Sequence, residues 1–415
     1  MWEQLNKYRN HFLQHEIKDV LTPSSINSLQ NKEWQSFMEK RNRCKSFPQH
    51  CTKSSTYFED RAQLAYGWFA LPKLMREMDS DDNLTHWRAI YSLSEFLLNP
   101  LNAQRAILEM EIVRKLKNAF MRLCLKFHKE EHEEMKIYLK IFNIISRNLN
   151  GAEQIANRKC LMIEFYKIAG SKESEKQDLA AEILRNLTGQ PKVLGIVIKD
   201  EENLGYIANI FKQDPCRPYY PADLWHHLCH MLELAPQLGI DLGFFELLHS
   251  RIENRLPLFW EMNSKAFALL LRCEEGQRRF DKLDVIQLIY EVFEEVYVDK
   301  SKKLPGQFVE NYEYLILILM DGLHSKRALW RIREFTMLTC HVARRMASKR
   351  TTNPRIQLYG LKTLRNMGTM PCVRRYIIGN WLTEICEMKC LDAEAECARD
   401  ALLDWLRRDI ADSSS

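Results

Sequence analysis

The sequence predicts an all-α protein in which similar helical units stack into one array. Three observations predict it. Apolar residues recur at three- and four-residue spacing through most of the chain, the period of one helix face. Glycine and proline number only 14 and 13 among 415 residues, too few for a turn-rich β protein. The third is repetition: apolar helix, break, second apolar helix, again and again. Hydrophobic residues at 46% supply a substantial core, and 28% charged residues fit neither a disordered tail nor a membrane bundle.

Residues 1–56 read as an extension and linker. Helical pieces are expected over about 2–20 and 26–42, followed by a basic cluster (Lys40-Arg-Asn-Arg43-Cys-Lys45) and the polar run Pro48 to Thr56. From Tyr57 the repeat begins. Ala89 to Pro100 leads into Ala106-Ile-Leu108 and Ile112 to Leu116, and Leu139 to Asn148 leads into Gly151 to Ile155 and Leu161 to Phe165. The clearest unit starts at Asp178. Ala181, Leu184 and Leu187 fall on one helix face, and Gly189 and Pro191 stop that helix. Val193 to Ile198 and Glu202 to Phe211 then follow. Val193 to Ile198 alone would pass for a strand, but its place in the repeat predicts helix. Trp225 to Leu232, Ala266 to Arg272, Tyr314 to Met320 and Leu361 to Met367 open later units.

Anchors near Leu93, Ile144, Leu184, Leu228, Leu270, Leu317 and Leu364 lie roughly 40–50 residues apart, the spacing of armadillo and HEAT arrays. The wording Leu184-Arg-Asn-Leu187 and Leu364-Arg-Asn-Met367 favours armadillo. The predicted fold is an armadillo/HEAT-like right-handed α-solenoid of about seven repeats over 57–405, with a polar tail at 406–415.

One stretch is more specific. Ala65-Tyr66-Gly67, Ala70-Leu71, Lys73-Leu74, Glu77, Ser80, Asp82, Leu84-Thr85, Ala89, Leu93 and Pro100 form a pattern that resembles the opening repeat of the radial spoke head 14 family. The resemblance runs without a gap over 65–100. It implies armadillo repeats, a place in the radial spokes of motile cilia and flagella, and no enzyme activity. It carries no catalytic residues.

Candidate chemistry is thin. His128-Lys-Glu-Glu131-His132 has the order H-x-x-E-H, with both histidines on one helix face, but its polar surroundings suit a solvated link better than a zinc helix. His226, Cys229 and His230 also share a face. No second ligand cluster follows, and packing among Trp225, Leu228 and Met231 accounts for them. Cys386, Cys390 and Cys397 lack redox or zinc-knuckle spacing and read as buried thiols. Phosphate-binding glycine loops, the Walker A motif, the nucleophile elbow and the EF-hand loop do not occur. No cofactor, metal site or small-molecule substrate is expected.

The best functional feature is charge. Between Asp321 and Arg375 the net charge is +11, against +5 for the whole chain. Arg327, Arg331, Arg344, Arg345, Lys349, Arg350, Arg374 and Arg375 are the candidate partner-binding residues. The bland account is a solvated face; the sharper one is a positive surface for an acidic protein. Spoke subunits and tubulin tails suit it, and single-stranded nucleic acid is disfavoured because aromatic platforms are not interleaved. Peptide recognition of the importin type is disfavoured too, since Glu182 and Lys362 stand where tryptophan would be needed. The longest apolar run, Tyr314 to Met320, falls far short of the roughly 18 residues that span a bilayer. The N-terminus carries no apolar signal core. The expectation is a non-catalytic scaffold in the cytoplasm and cytoskeleton, at the axoneme, with a soluble cytosolic armadillo adaptor or transport factor as the alternative.

Overall fold

The computed structural model describes residues 70–124, 130–172, 174–214, 220–254, 261–297, 313–323, 336–347 and 353–413. The chain divides into two compact units, Met1–Glu77 and Met78–Ser415. In the first, one helix is described, α1 (Ala70–Glu77), with Leu71 and Leu74 buried.

The second unit is built from helices alone among the described residues. It opens with α2 (Asn83–Phe96) and then cycles through first, second and third helices. The first three cycles are α3 (Pro100–Glu109), α4 (Ile112–Cys124) and α5 (Glu130–Ser146); α6 (Leu149–Ala156), α7 (Lys159–Gly170) and α8 (Ser174–Thr188); and α9 (Pro191–Lys199), α10 (Glu202–Gln213) and α11 (Ala222–Leu234). Next come α12 (Pro236–Asp241), α13 (Phe244–Glu253) and α14 (Glu261–Leu270), then α15 (Glu274–Lys282), α16 (Val285–Tyr297) and α17 (Leu315–Gly322). The described remainder is α18 (Thr336–Ala347), α19 (Pro354–Met367), α20 (Pro371–Cys386) and α21 (Ala393–Ser413). The run Val193 to Ile198 lies within α9 and is helical.

Local chemistry sets these boundaries. Pro100, Pro191, Pro236 and Pro371 each open a first helix, where a missing N–H costs nothing and the ring pre-sets φ. Asp82, Asn99, Asn148 and Asn353 cap their helices by accepting from backbone N–H groups one turn on.

Stacking is between like helices. The third helices pack in order, α2 on α5, α5 on α8, α8 on α11, α11 on α14, α14 on α17 and α17 on α19. Second helices do the same, from α4 through α7, α10, α13 and α16 to α18. Phe120, Phe142 and Phe165 join α4, α5 and α7, with ring centroids 5.4 to 5.8 Å apart. α20 and α21 pack together, and α21 covers α19 at the end of the array. The tail expected at 406–415 is instead part of α21 as far as Ser413, with Leu406 buried against the array.

Several corners share one geometry. At three of the described turns from a third helix into the next first helix, a side chain donates to the carbonyl six residues back. Asn102 reaches Phe96 O at 3.1 Å, Gln277 reaches Leu271 O at 2.6 Å, and Arg374 reaches Gly368 O at 3.1 Å. Asn203 does the same to Val197 O at the α9–α10 corner, at 2.8 Å. These donors satisfy carbonyls that a helix end leaves without partners. At two corners the approach is closer. A Cβ added to Gly151 or Gly276 would run into the carbonyl oxygen six residues back, on Ile145 or Leu270. Only a residue without a side chain fits.

Gly276→Ala therefore forces backbone to move and should cost about 1–3 kcal/mol. Gly195→Ala, in the middle of α9 with open space around the new methyl group, should instead be neutral or stabilising by up to about 1 kcal/mol. Urea unfolding followed by far-UV circular dichroism compares the two.

Candidate partner-binding surface

Polar side chains tie third helices to their neighbours at several places in the stack. Lys136 on α5 pairs with Glu175 on α8 at 2.7 Å, and Arg147 reaches Glu182 at 2.9 Å. Asn143 also donates to Glu182, at 2.6 Å. Arg185 on α8 pairs with Asp223 on α11 at 2.7 Å. Asn186 donates back to Asn143 Oδ1 at 2.9 Å and Ser146 Oγ at 3.1 Å, and Asn366 donates back to Met320 O at 2.7 Å. Both carboxamides are thereby committed to the preceding third helix.

The histidine cluster is a packing network. His227, which the sequence reading left aside, is the buried one. Its Nε2 lies 3.0 Å from Tyr166 Oη and its Nδ1 lies 3.0 Å from Thr188 Oγ1. Thr188 can donate to Leu184 O and accept from His227 Nδ1 and His230 Nδ1, which assigns the Nδ1–H tautomer to His227 and leaves Nε2 to accept from Tyr166. Burial brings the His227 pKa down to about 3, and burial also lowers those of His226 and His230. The Cys229 thiol donates to Met262 O and is pushed up to about 12 by burial. Among the described residues no group of three or more candidate ligands is placed to hold a metal ion. The H-x-x-E-H segment at 128–132 lies outside the described side chains. The expectation of buried thiols fails for the last cysteines: Cys386 and Cys397 are exposed and Cys390 is half-buried, because their positions at the end of the array face solvent.

Four of the candidate cations, Arg327, Arg331, Lys349 and Arg350, lie outside the described residues. The other four divide into two kinds. Arg344 is half-buried, 2.6 Å from Glu384 and stacked over the Trp381 ring at 5.3 Å. Arg374 is half-buried too, with its guanidinium 4.3 Å from the centre of the Trp405 ring, which in turn lies against Gly368. Both bind α20 and α21 to the array. Arg345 and Arg375 are exposed. Lys265 on α14 and Lys362 and Arg365 on α19 are further cations outside the eight expected from sequence to bind a partner. None of the three has an ion-pair partner among the described residues, and Lys362 and Arg365 are exposed. The available signal was register: Arg365-Asn366 repeats Arg185-Asn186 on a helix with fewer acids beside it.

No protein-family model matches the chain, and no curated protein matches its sequence. Solved structures do match. An engineered protein is 14% identical over 86% of this chain and 87% of its own, with a TM-score of 0.57. A structure from work on the phosphorylation-controlled interaction of cadherin with β-catenin is 13% identical over 81% of this chain and 69% of its own, with a TM-score of 0.54. The fold is an armadillo-like all-α solenoid. In this solenoid the third helices supply the polar links described above, and the buried histidine network locks three helices of adjoining repeats.

That network makes stability depend on pH. His227 has a folded pKa of about 3 against an ordinary 6.5, so between those values the unfolded chain binds more protons than the folded one. Its contribution is complete above pH 6.5 and is lost as pH falls, at up to about 1.4 kcal/mol per unit. The His86–Glu134 pair works oppositely: its hydrogen bond to the carboxylate raises the His86 pKa, so its contribution is lost as pH rises. His227→Gln should be less stable than the native chain at pH 7 and show a shallower fall between pH 7 and pH 5, measured by thermal unfolding.

Proposed function

We propose that the chain is a non-catalytic repeat scaffold that docks an acidic protein, and that it does so in the radial spoke of the axoneme of motile cilia and sperm flagella. The observation that carries the scaffold reading is the unbroken succession of third helices. A solenoid of this kind offers one extended face to a partner, with rigid spacing between contact points. Between Asp321 and Arg375, where the net charge is +11, exposed cations, Arg345 and Arg375 among them, carry the sign that suits an acidic neighbour. Acidic spoke subunits and tubulin tails have that chemistry.

The spoke reading rests on the pattern at 65–100. In its described part, Leu71, Leu74, Ala89 and Leu93 are buried, Asp82 caps α2, and Pro100 opens α3. That the described part of the pattern consists of core, cap and helix-opening residues supports reading it as an opening repeat. A tagged full-length chain expressed in cells that build motile cilia should remain with the axoneme after detergent removes the membrane, and should leave at raised salt. Recovery in the detergent-soluble fraction would replace the spoke component with a cytosolic adaptor.

A further inference from the structure

α19 buries one face and leaves a stripe in water or half in water: Arg355, Tyr359, Lys362, Arg365 and Asn366, spaced at four, seven, ten and eleven residues. Three of these five are cations. The stripe meets the preceding third helices, as the Asn366 bond to Met320 O on α17 shows. The intervening helix, α17, is apolar from Leu315 to Met320 and carries one acid, Asp321, near its end, and one charge reaches the stripe from α14. That charge is Glu261.

Glu261 reaches over α17 to α19. Its Oε1 lies 2.7 Å from Arg355 Nη1 and accepts from Tyr359 Oη at 3.5 Å. Every other pair of third helices described above is tied between immediate neighbours; this one joins helices two places apart. Beneath it, Asn353 donates to Tyr314 Oη at 2.8 Å. The Glu261 side chain is 19% exposed, and that of Arg355 is 60% exposed. Arg355 thus keeps an open side while a carboxylate of the chain itself sits on it.

We infer that the stripe Arg355–Lys362–Arg365 is the seat of an acidic protein segment, and that Glu261 is an internal stand-in for one of that segment's carboxylates. The inference rests on the acidic-partner reading and moves its centre from the α18 and α20 arginines to the third-helix face. A partner carboxylate takes Arg355 by displacing Glu261, so docking opens the link between α14 and α19. Lys362 and Arg365 need no such exchange, because nothing described neutralises them.

The test uses the full chain and a fluorescent peptide of ten glutamates, with affinity read by anisotropy at low and physiological salt. Glu261→Gln should bind about two- to fivefold more tightly, as expected from removing one exposed competing pair. The pair Lys362→Glu/Arg365→Glu should lose at least about tenfold, whereas Arg345→Glu/Arg375→Glu, an equal change in net charge elsewhere, should lose much less. Circular dichroism confirms that each variant is folded. Unchanged affinity in Glu261→Gln, or equal losses in the two double variants, overturns the inference while leaving an acidic partner standing. Failure of the native chain to bind the peptide at low salt removes the acidic-partner reading itself. Tighter binding of an oligothymidine of equal charge overturns both in favour of nucleic acid.

Discussion

Third helix on third helix is the contact on which the rest of the structure depends. No cycle of three helices can bury its own apolar face, so each third helix needs one neighbour behind it and another in front. α8 shows the arrangement: Ala181, Leu184 and Leu187 are fully buried, with α5 on one side and α11 on the other. The polar links on its rim follow from the same placement. Asn186 and Arg185 sit side by side in sequence, so one reaches back to α5 and the other forward to α11. The corners follow too, since like helices stack in register only if the chain turns sharply between them. Gly151 and Gly276 permit that turn, and Asn102, Gln277 and Arg374 satisfy the carbonyls it exposes.

Much of this was legible in the sequence, for reasons that differ by element. The repeat period and the helical state of Val193 to Ile198 could be read because apolar spacing and the stops at Gly189 and Pro191 are local signals. The corner donors could not. Asn102, Gln277, Asn203 and Arg374 have nothing in common as residue types except a donor N–H, and their role appears only when the carbonyl six residues back is in place. Gly276 was visible as a glycine at the start of a helix, but nothing local says that a carbonyl lies where its Cβ would be.

The candidate surface was legible in charge and illegible in exposure. A run of arginines looks uniform on paper. In the solenoid, Arg344 and Arg345 are separated by one helical step, which turns the first toward Trp381 and Glu384 and leaves the second in water. Arg374 and Arg375 divide the same way, the first lying over Trp405. The histidines follow this rule as well: of the neighbours His226 and His227, the one facing α7 and α8 is buried among Tyr166 and Thr188. Which member of such a pair meets solvent depends on tertiary packing, so a charge count cannot separate them.

Nearest-neighbour stacking of its third helices holds the array together. Native-state hydrogen exchange on Leu184→Ala tests that most directly. Truncating this fully buried leucine should cost about 2–5 kcal/mol. The loss of protection should centre on α8 and spread to α5, α7 and α11, leaving α19 to α21 at their original rates. A uniform loss from α2 to α21 would mean one cooperative core, and a loss confined to α8 would mean that the stack transmits nothing; either result contradicts the account.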